Sequence, residues 1–185
     1  MPFRAFAGVP VPADPRLLAL LDGLRATRGD LKVVEPGNLH MTLSFLGQVP
    51  DEAAGPLSRA LDEAAARFAP FRAQLSGVGA FPSARRPRVV WAGVQDPAPL
   101  AALANAVRDA FARAGHAGDD KDFRAHATLA RVREGSRADD VARFLQRHAS
   151  DPLPEIEVAD ARLYRSVPSP RGPTYEVVHA ARLGG

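Results

Sequence analysis

Two short segments of the chain carry the same pattern, and they constrain its fold more than any other feature. They are His40-Met41-Thr42-Leu43 and His126-Ala127-Thr128-Leu129, one near the middle of each half of the chain. Apolar and polar residues alternate from Leu39 to Phe45, which predicts a β-strand around the first motif. Because alternate side chains of a strand share a face, the histidine and threonine of each motif should lie on one side.

Two strands that each present a histidine and a threonine supply the groups that a two-histidine acid–base site needs. A single histidine on a strand is more often a structural residue, so one match would carry little weight. Two matches in equivalent places favour a paired active site over coincidence or metal binding. Histidine can remove or donate a proton near neutral pH, and Thr42 and Thr128 can donate hydrogen bonds to phosphate oxygens. Such a site requires no metal.

The motifs and their flanking residues resemble those of the 2H phosphoesterase superfamily, which is named for two H-x-[ST]-hydrophobic motifs. Residues 36–47 (PGNLHMTLSFLG) and 123–131 (FRAHATLAR) are most similar to the RNA 2′,3′-cyclic phosphodiesterases, also called 2′-5′ RNA ligases. Residues 163–166 (LYRS) look like a third shared block, and the resemblance extends from about residue 3 to residue 183. It implies an α+β fold of two similar lobes, with antiparallel sheets flanked by helices and the active-site cleft between them.

The resemblance also implies an activity. It is metal-independent hydrolysis of RNA 2′,3′-cyclic phosphate ends to 2′-phosphomonoesters, with reversible 2′-5′ RNA ligation as a second reaction. His40 would be the proton donor to the leaving oxygen and His126 the proton acceptor from water. The residues alone do not assign these two roles. No cofactor is implied.

Arg131 corresponds to a phosphate-binding arginine of the family, but its position raises a difficulty. It lies five residues after His126, and strict alternation places it on the opposite face of the strand. Either a twist or bulge of the strand, or a side chain reaching around its end, must bring it to the site. The alternative is a solvated arginine, and the equivalent residue of the first motif is Phe45.

Further residues are candidates for RNA contacts. A basic hairpin tip, consisting of Arg85, Arg86 and Arg88, can meet backbone phosphates, although most such tips are only solvated. Phe123 and Tyr164 can stack on a base, with core packing as the alternative. Trp91 lies in an apolar strand and is expected in the core.

The remaining pattern is a mixture of helices and hairpins, which favours antiparallel α+β structure in a single domain over residues 1–185. Helix-start signals occur at Asp14-Pro15, Pro56, Asp96-Pro97 and Ser136. Two hairpins are expected. Residues 71–81 pair with 88–94 in the first, and 156–164 pair with 174–180 in the second.

The composition restricts the chemistry, the ligands and the location expected for the protein. The chain has no cysteine, which excludes disulfides and thiol chemistry, and its net charge of +3 permits a polyanionic ligand. It has neither an apolar run long enough to span a membrane nor a signal-peptide pattern. We therefore expect a cytoplasmic monomer whose partner is an RNA with a 2′,3′-cyclic phosphate end, or a cyclic nucleotide, and no membrane.

Three other functions remain open. A relative could act on small cyclic or 2′,5′-linked nucleotides, and comparing reaction rates on RNA and on a mononucleotide separates the two. A non-catalytic RNA-binding module would not need two intact histidine motifs. A metal hydrolase would usually need three protein ligands, and neither motif contains an adjacent carboxylate.

Overall fold

The computed structural model describes residues 1–134, 138–170 and 172–184. Within that part the chain forms four α-helices: α1 (Pro15–Arg25), α2 (Ala54–Ala65), α3 (Ala98–Arg113) and α4 (Ala138–His148). The strands are β1 (Phe3–Pro10), β2 (Leu31–Val33), β3 (His40–Val49), β4 (Phe71–Ser83), β5 (Arg86–Val94), β6 (His126–Val132), β7 (Pro152–Val158), β8 (Asp160–Val167) and β9 (Thr174–Arg182). No helix in the described part is both long and apolar enough to cross a membrane.

The strands form an antiparallel sheet in the order β7-β4-β5-β6-β3-β1-β8-β9, and β2 pairs with β6. Only Ala159 separates β7, at one edge of this order, from β8 near the other edge. The sheet must therefore curl. The antiparallel α+β class expected from the sequence is confirmed.

Helices cover one face of the sheet. α2 and α3 pack on strands of the first half-sheet, which consists of β3, β1, β8 and β9. α1 and α4 pack on the second half-sheet, which consists of β6, β5, β4 and β7. The predicted leucine stripe of α1 is buried, and Asp14 accepts a hydrogen bond from the Arg16 backbone N–H at 2.9 Å.

The two half-sheets meet at the motif strands. The register between β3 and β6 consists of one pair, Met41 opposite Ala127, and both side chains are fully buried. Because neighbouring side chains of a strand point to opposite faces, the residues on either side of this pair point to the helix-free face. We call this the motif face. The pair thus lies on an approximate twofold axis that relates the two motifs.

Some element boundaries differ from the sequence-based expectation. The segment 156–164, expected as one strand, is divided between β7 on β4 and β8 on β1. Strands β4 and β5 also continue into the expected loop, because Ser83 pairs with Arg86. The expected cap at Ser136 lies outside the described residues, although the helix that follows it buries Val141, Phe144 and Leu145.

Candidate active site

Both motif histidines are held in the same way by the backbone two residues before them. His40 Nδ1 lies 2.7 Å from the carbonyl oxygen of Asn38, and His126 Nδ1 lies 2.6 Å from that of Arg124. A carbonyl oxygen only accepts hydrogen bonds, so each Nδ1 carries a proton. Each Nε2 is therefore the nitrogen that gains or loses a proton. Thr42 Oγ1 lies 3.1 Å from His40 Nε2.

Each motif strand contains a β-bulge at the leucine of the motif. In β3, Ala7 pairs with Ser44 and Gly8 with Thr42, so Leu43 is an additional residue. The pairing of β5 with β6 omits Leu129 in the same manner. The bulge reverses the alternation, and Leu43 and Ser44 are consequently both buried.

This bulge resolves the difficulty with Arg131. Leu129 and Ala130 are both fully buried, and the next residue, Arg131, is exposed. The phase of the strand after the bulge places Arg131 on the same face as His126 and Thr128. The structure therefore contains the bulge that an arginine at this offset needs in order to reach the site.

The electrostatics of the site are consistent with that position. Burial lowers the pKa of His40 and of His126 below the usual value of 6.5, and their backbone hydrogen bonds oppose this effect. The positive charge of Arg131 lowers both pKa values further. Arg131 is thus close enough to influence both histidines.

The environments of the two histidines differ in their aromatic residues. The His40 ring has its centroid 4.8 Å from that of Phe6 and 5.1 Å from that of Tyr175, which meets it edge-on. Tyr164 is 7% exposed and stacks on Phe6 at 4.9 Å. The predicted stacking residue Tyr164 therefore lies behind Phe6, as part of a wall beside His40.

Beside His126 the neighbouring aromatic ring is Phe81, whose centroid lies 5.1 Å away in an edge-on arrangement. Phe81 in turn contacts Trp91 at 5.2 Å. The expectation that Trp91 belongs to the core is wrong, because its side chain is partly exposed beside Phe81. It lies over Gly79, where an added Cβ would be 2.4 Å from the indole Cζ2.

Sequence reasoning missed Phe6, Phe81 and Tyr175. A signal existed for Phe6, because strand alternation groups it with Arg4 and Gly8, opposite the small and apolar residues of β1. Phe81 and Tyr175 become recognisable only once the strand neighbours of the two motifs are known.

The other predicted contact residues occupy different environments. Phe123 is partly buried and packs against the hydrophobic core. Arg85 and Arg86 are exposed at the tip of the β4–β5 hairpin, beyond Phe81. Arg88 forms an ion pair with Glu134 at 3.0 Å.

Two cavities include Asn38 and Tyr175, both neighbours of His40, in their linings. The larger, about 280 Å³, is lined by His40, Tyr164 and Tyr175 together with the loops at residues 10–13 and 36–39. The smaller, about 60 Å³, includes Arg131 and Tyr175 in its lining. Among the described residues, no group of three or more histidine, aspartate or glutamate side chains is placed to hold a metal ion.

The pKa directions predict a pH dependence for a two-histidine acid–base site. Such a site works with one histidine neutral and the other protonated, so kcat/KM should be bell-shaped in pH. Since both pKa values are lowered, its maximum should lie below pH 6.5. Arg131→Gln removes a positive charge and should move both limbs to higher pH, whereas Arg131→Lys should not. The measurement is kcat/KM against pH for the three proteins, and an unchanged profile in Arg131→Gln would contradict the placement of Arg131.

Comparisons with known proteins agree with this geometry. The model of the LigT-like phosphoesterase family matches residues 8–91 and again residues 93–175. A protein of Archaeoglobus fulgidus named RNA 2′,3′-cyclic phosphodiesterase is 42% identical over 175 residues, which cover 94% of this chain and 96% of that protein.

Solved structures show the same fold. The crystal structure of TT0787 of Thermus thermophilus has a TM-score of 0.80 and 32% identity, and the match covers 98% of both chains. Escherichia coli LigT complexed with 3′-AMP has a TM-score of 0.71 and 28% identity over the full length of both chains. The two family matches each span one histidine motif, which accords with the approximate twofold axis at Met41 and Ala127. The chain belongs to the LigT-like phosphoesterase family.

Proposed function

We propose that this protein hydrolyses the 2′,3′-cyclic phosphate ends of RNA by general acid–base catalysis between His40 and His126. The observation that carries the proposal is the pair of histidines on one face, each with Nδ1 fixed by a carbonyl oxygen and Nε2 available. Neither a metal nor a cofactor has a role in the proposed reaction. The family membership and the name of the Archaeoglobus relative support the RNA substrate.

The reaction needs the two histidines on opposite sides of the phosphorus atom. Neutral His126 removes a proton from water as the oxygen of that water bonds to phosphorus. The bond from phosphorus to the ribose 3′-oxygen breaks on the opposite side, and protonated His40 gives its Nε2 proton to that oxygen. The product is a 2′-phosphomonoester, and the two histidines have exchanged protonation states. Bulk water restores the original states.

The difference between the histidine environments supports this division of roles. A ribose carries the leaving oxygen, so the acid must lie beside a surface that can accept a nucleoside. His40 adjoins the aromatic wall of Phe6 and Tyr175 and the 280 Å³ cavity. When the ribose is bound on the His40 side, the attacking water can occupy the His126 side.

The threonines and Arg131 stabilise the phosphate in this mechanism. In the free protein the Thr42 hydroxyl pairs with His40 Nε2 at 3.1 Å, so a bound phosphate oxygen can take over that hydrogen-bonding position. Thr128 occupies the equivalent position in the second motif, and Arg131 adds a positive charge. Such donors are most effective when they stabilise charge in the transition state. With a 5′-hydroxyl in place of water, the reverse reaction would form a 2′,5′ bond.

The proposal predicts hydrolysis in the presence of excess chelator. Purified protein should open both a nucleoside 2′,3′-cyclic phosphate and a short RNA with that end, and chromatography should show the 2′-monophosphate isomer. A lost rate that zinc or manganese restores would contradict the metal-free mechanism, and a predominant 3′-phosphate would contradict the assigned leaving oxygen. Faster turnover of the mononucleotide than of the RNA would favour a small-nucleotide substrate.

The tip of the β4–β5 hairpin provides a separate prediction. The double variant Arg85→Ala/Arg86→Ala should weaken oligonucleotide binding and reduce its salt dependence, because two phosphate-contacting charges are lost. Hydrolysis of a cyclic mononucleotide should be unchanged. Arg88→Ala is the matched control, since Arg88 pairs with Glu134. Titrations at several salt concentrations measure the effect, and equal losses on both substrates would place the two arginines in the fold or the site instead.

A further inference from the structure

The lining of the smaller cavity contains a second cation next to Arg131. Lys32 and Arg131 are direct partners in the β2–β6 ladder, and both line the 60 Å³ cavity. Directly paired residues of antiparallel strands share a face of the sheet. Leu31 and Val33, on either side of Lys32, pack against the core, so Lys32 projects to the motif face.

The exposed Lys32 side chain lies next to the backbone of the β8–β9 loop. Gly172 has a φ of +122°, and a Cβ built there would lie 2.8 Å from Lys32 Cε. The loop backbone thus passes next to the end of the lysine side chain, at a residue whose positive φ favours glycine. Charged residues often protect edge strands from aggregation, but that role needs no such contact.

The same loop is connected to the catalytic histidine. The carbonyl oxygen of Pro173 accepts a hydrogen bond from Asn38 Nδ2 at 2.9 Å. The Asn38 carbonyl oxygen in turn accepts the hydrogen bond from His40 Nδ1. The loop next to Lys32 is thus linked through Asn38 to the backbone that orients His40.

The charge of this cavity is not neutralised by the residues around it. Within the described part of the chain, no ion pair is formed by Lys32 or Arg131. Glu35 also lines the cavity, but its carboxylate lies 3.9 Å from Arg25. Tyr175 completes the lining, and burial raises the pKa of its phenol, so it remains a neutral hydrogen-bond donor.

We propose that Lys32, together with Arg131 and Tyr175, binds the phosphoryl group on the 5′ carbon of the terminal ribose, next to the reacting cyclic phosphate. This proposal rests on the proposed function. In RNA that group is the last internucleotide phosphate, and in a small nucleotide it is a 5′-phosphate. Arg131, with five N–H donors, can contact both anions, whereas Lys32 contacts only the 5′-phosphoryl group.

Three substrates test the subsite: a nucleoside 2′,3′-cyclic phosphate with a free 5′-hydroxyl, the same compound with a 5′-phosphate, and a dinucleotide with a 2′,3′-cyclic end. Lys32→Ala should raise KM roughly five- to tenfold for the two substrates with a 5′-phosphoryl group, with little change in kcat. The first substrate should be unaffected. For the dinucleotide, the slope of log kcat/KM against log salt should become shallower by about 0.7.

Two further variants act as controls. Lys32→Arg retains the charge and should restore most of the affinity. Lys121 is the chain's other lysine and is exposed in the loop before β6, so Lys121→Ala should behave as wild type on all three substrates. An effect on the 5′-phosphorylated mononucleotide but not on the dinucleotide would assign the subsite to small nucleotides, and the converse would assign it to RNA.

The proposal is overturned if Lys32→Ala affects all three substrates equally, because Lys32 would then contact the reacting phosphate or support the fold. It is also overturned if none of the substrates is affected. If the wild type opens none of them, the proposed function fails separately. Calorimetric binding of a nucleoside 5′-monophosphate to the wild type and to Lys32→Ala then decides the subsite, and equal affinities reject it.

Discussion

Replacing either His40 or His126 by alanine should lower turnover of a 2′,3′-cyclic nucleotide by about a hundredfold or more. The reason is that each histidine moves a proton that the transition state cannot dispense with, one at the attacking water and one at the leaving oxygen. Neither replacement removes a buried apolar side chain, because the neighbouring residues Met41 and Ala127 occupy the core positions of the two motif strands. Both variants should therefore fold.

The control for this experiment is another histidine of the chain. His179 Nε2 lies 2.7 Å from Asp62 on α2, so its side chain faces the helices and not the motif face. His179→Ala should retain the wild-type turnover. Near-wild-type turnover in either His40→Ala or His126→Ala would contradict the two-histidine mechanism.

The double variant adds a second criterion. Groups that act together in one transition state are not additive, and removing both should cost much less than the product of the two single losses. Losses that multiply would instead indicate that the two histidines contribute independently to the transition state.

The sequence predicted the elements whose pattern is local. The motif strands, the capped start of α1 and its buried leucine stripe all follow from the spacing of residues within one segment. The antiparallel α+β class followed from the alternation of hairpins and helices. The family resemblance added the expected cleft between two lobes.

The features that the sequence did not predict depend on strand partners. The offset of Arg131 made a bulge one of several alternatives, but its place at Leu43 and Leu129 is defined only by the register with β1 and β5. The division of 156–164 into two strands likewise depends on pairing, since its two parts join β4 and β1.

The aromatic wall beside His40 was not predicted for a related reason. Phe6 and Tyr175 come from opposite ends of the chain, and only the β1–β8–β9 pairing brings them to one histidine. Trp91 was assigned to the core because its strand is apolar. The same strand position in the first half-sheet is Gly8, and this difference between the halves cannot be recognised before the two registers are aligned.

The second large effect concerns the leaving group. We propose that His40 donates the proton to the leaving ribose oxygen. Replacing His40 should therefore have little effect on a phosphodiester whose leaving group needs no proton. A nucleotide p-nitrophenyl ester is such a substrate, since p-nitrophenolate departs as a stable anion. His126 removes a proton from water in either case, so its loss should be equally severe on both substrates.

The central claim is tested most directly by the turnover of His40→Ala and His126→Ala on a 2′,3′-cyclic nucleotide and on the p-nitrophenyl ester. We expect His40→Ala to lose about a hundredfold or more on the cyclic nucleotide and to recover most of that loss on the ester. His126→Ala should lose a similar factor on both. Recovery by His126→Ala alone would exchange the acid and base roles, and equal losses by both variants on both substrates would contradict acid–base catalysis divided between the two histidines.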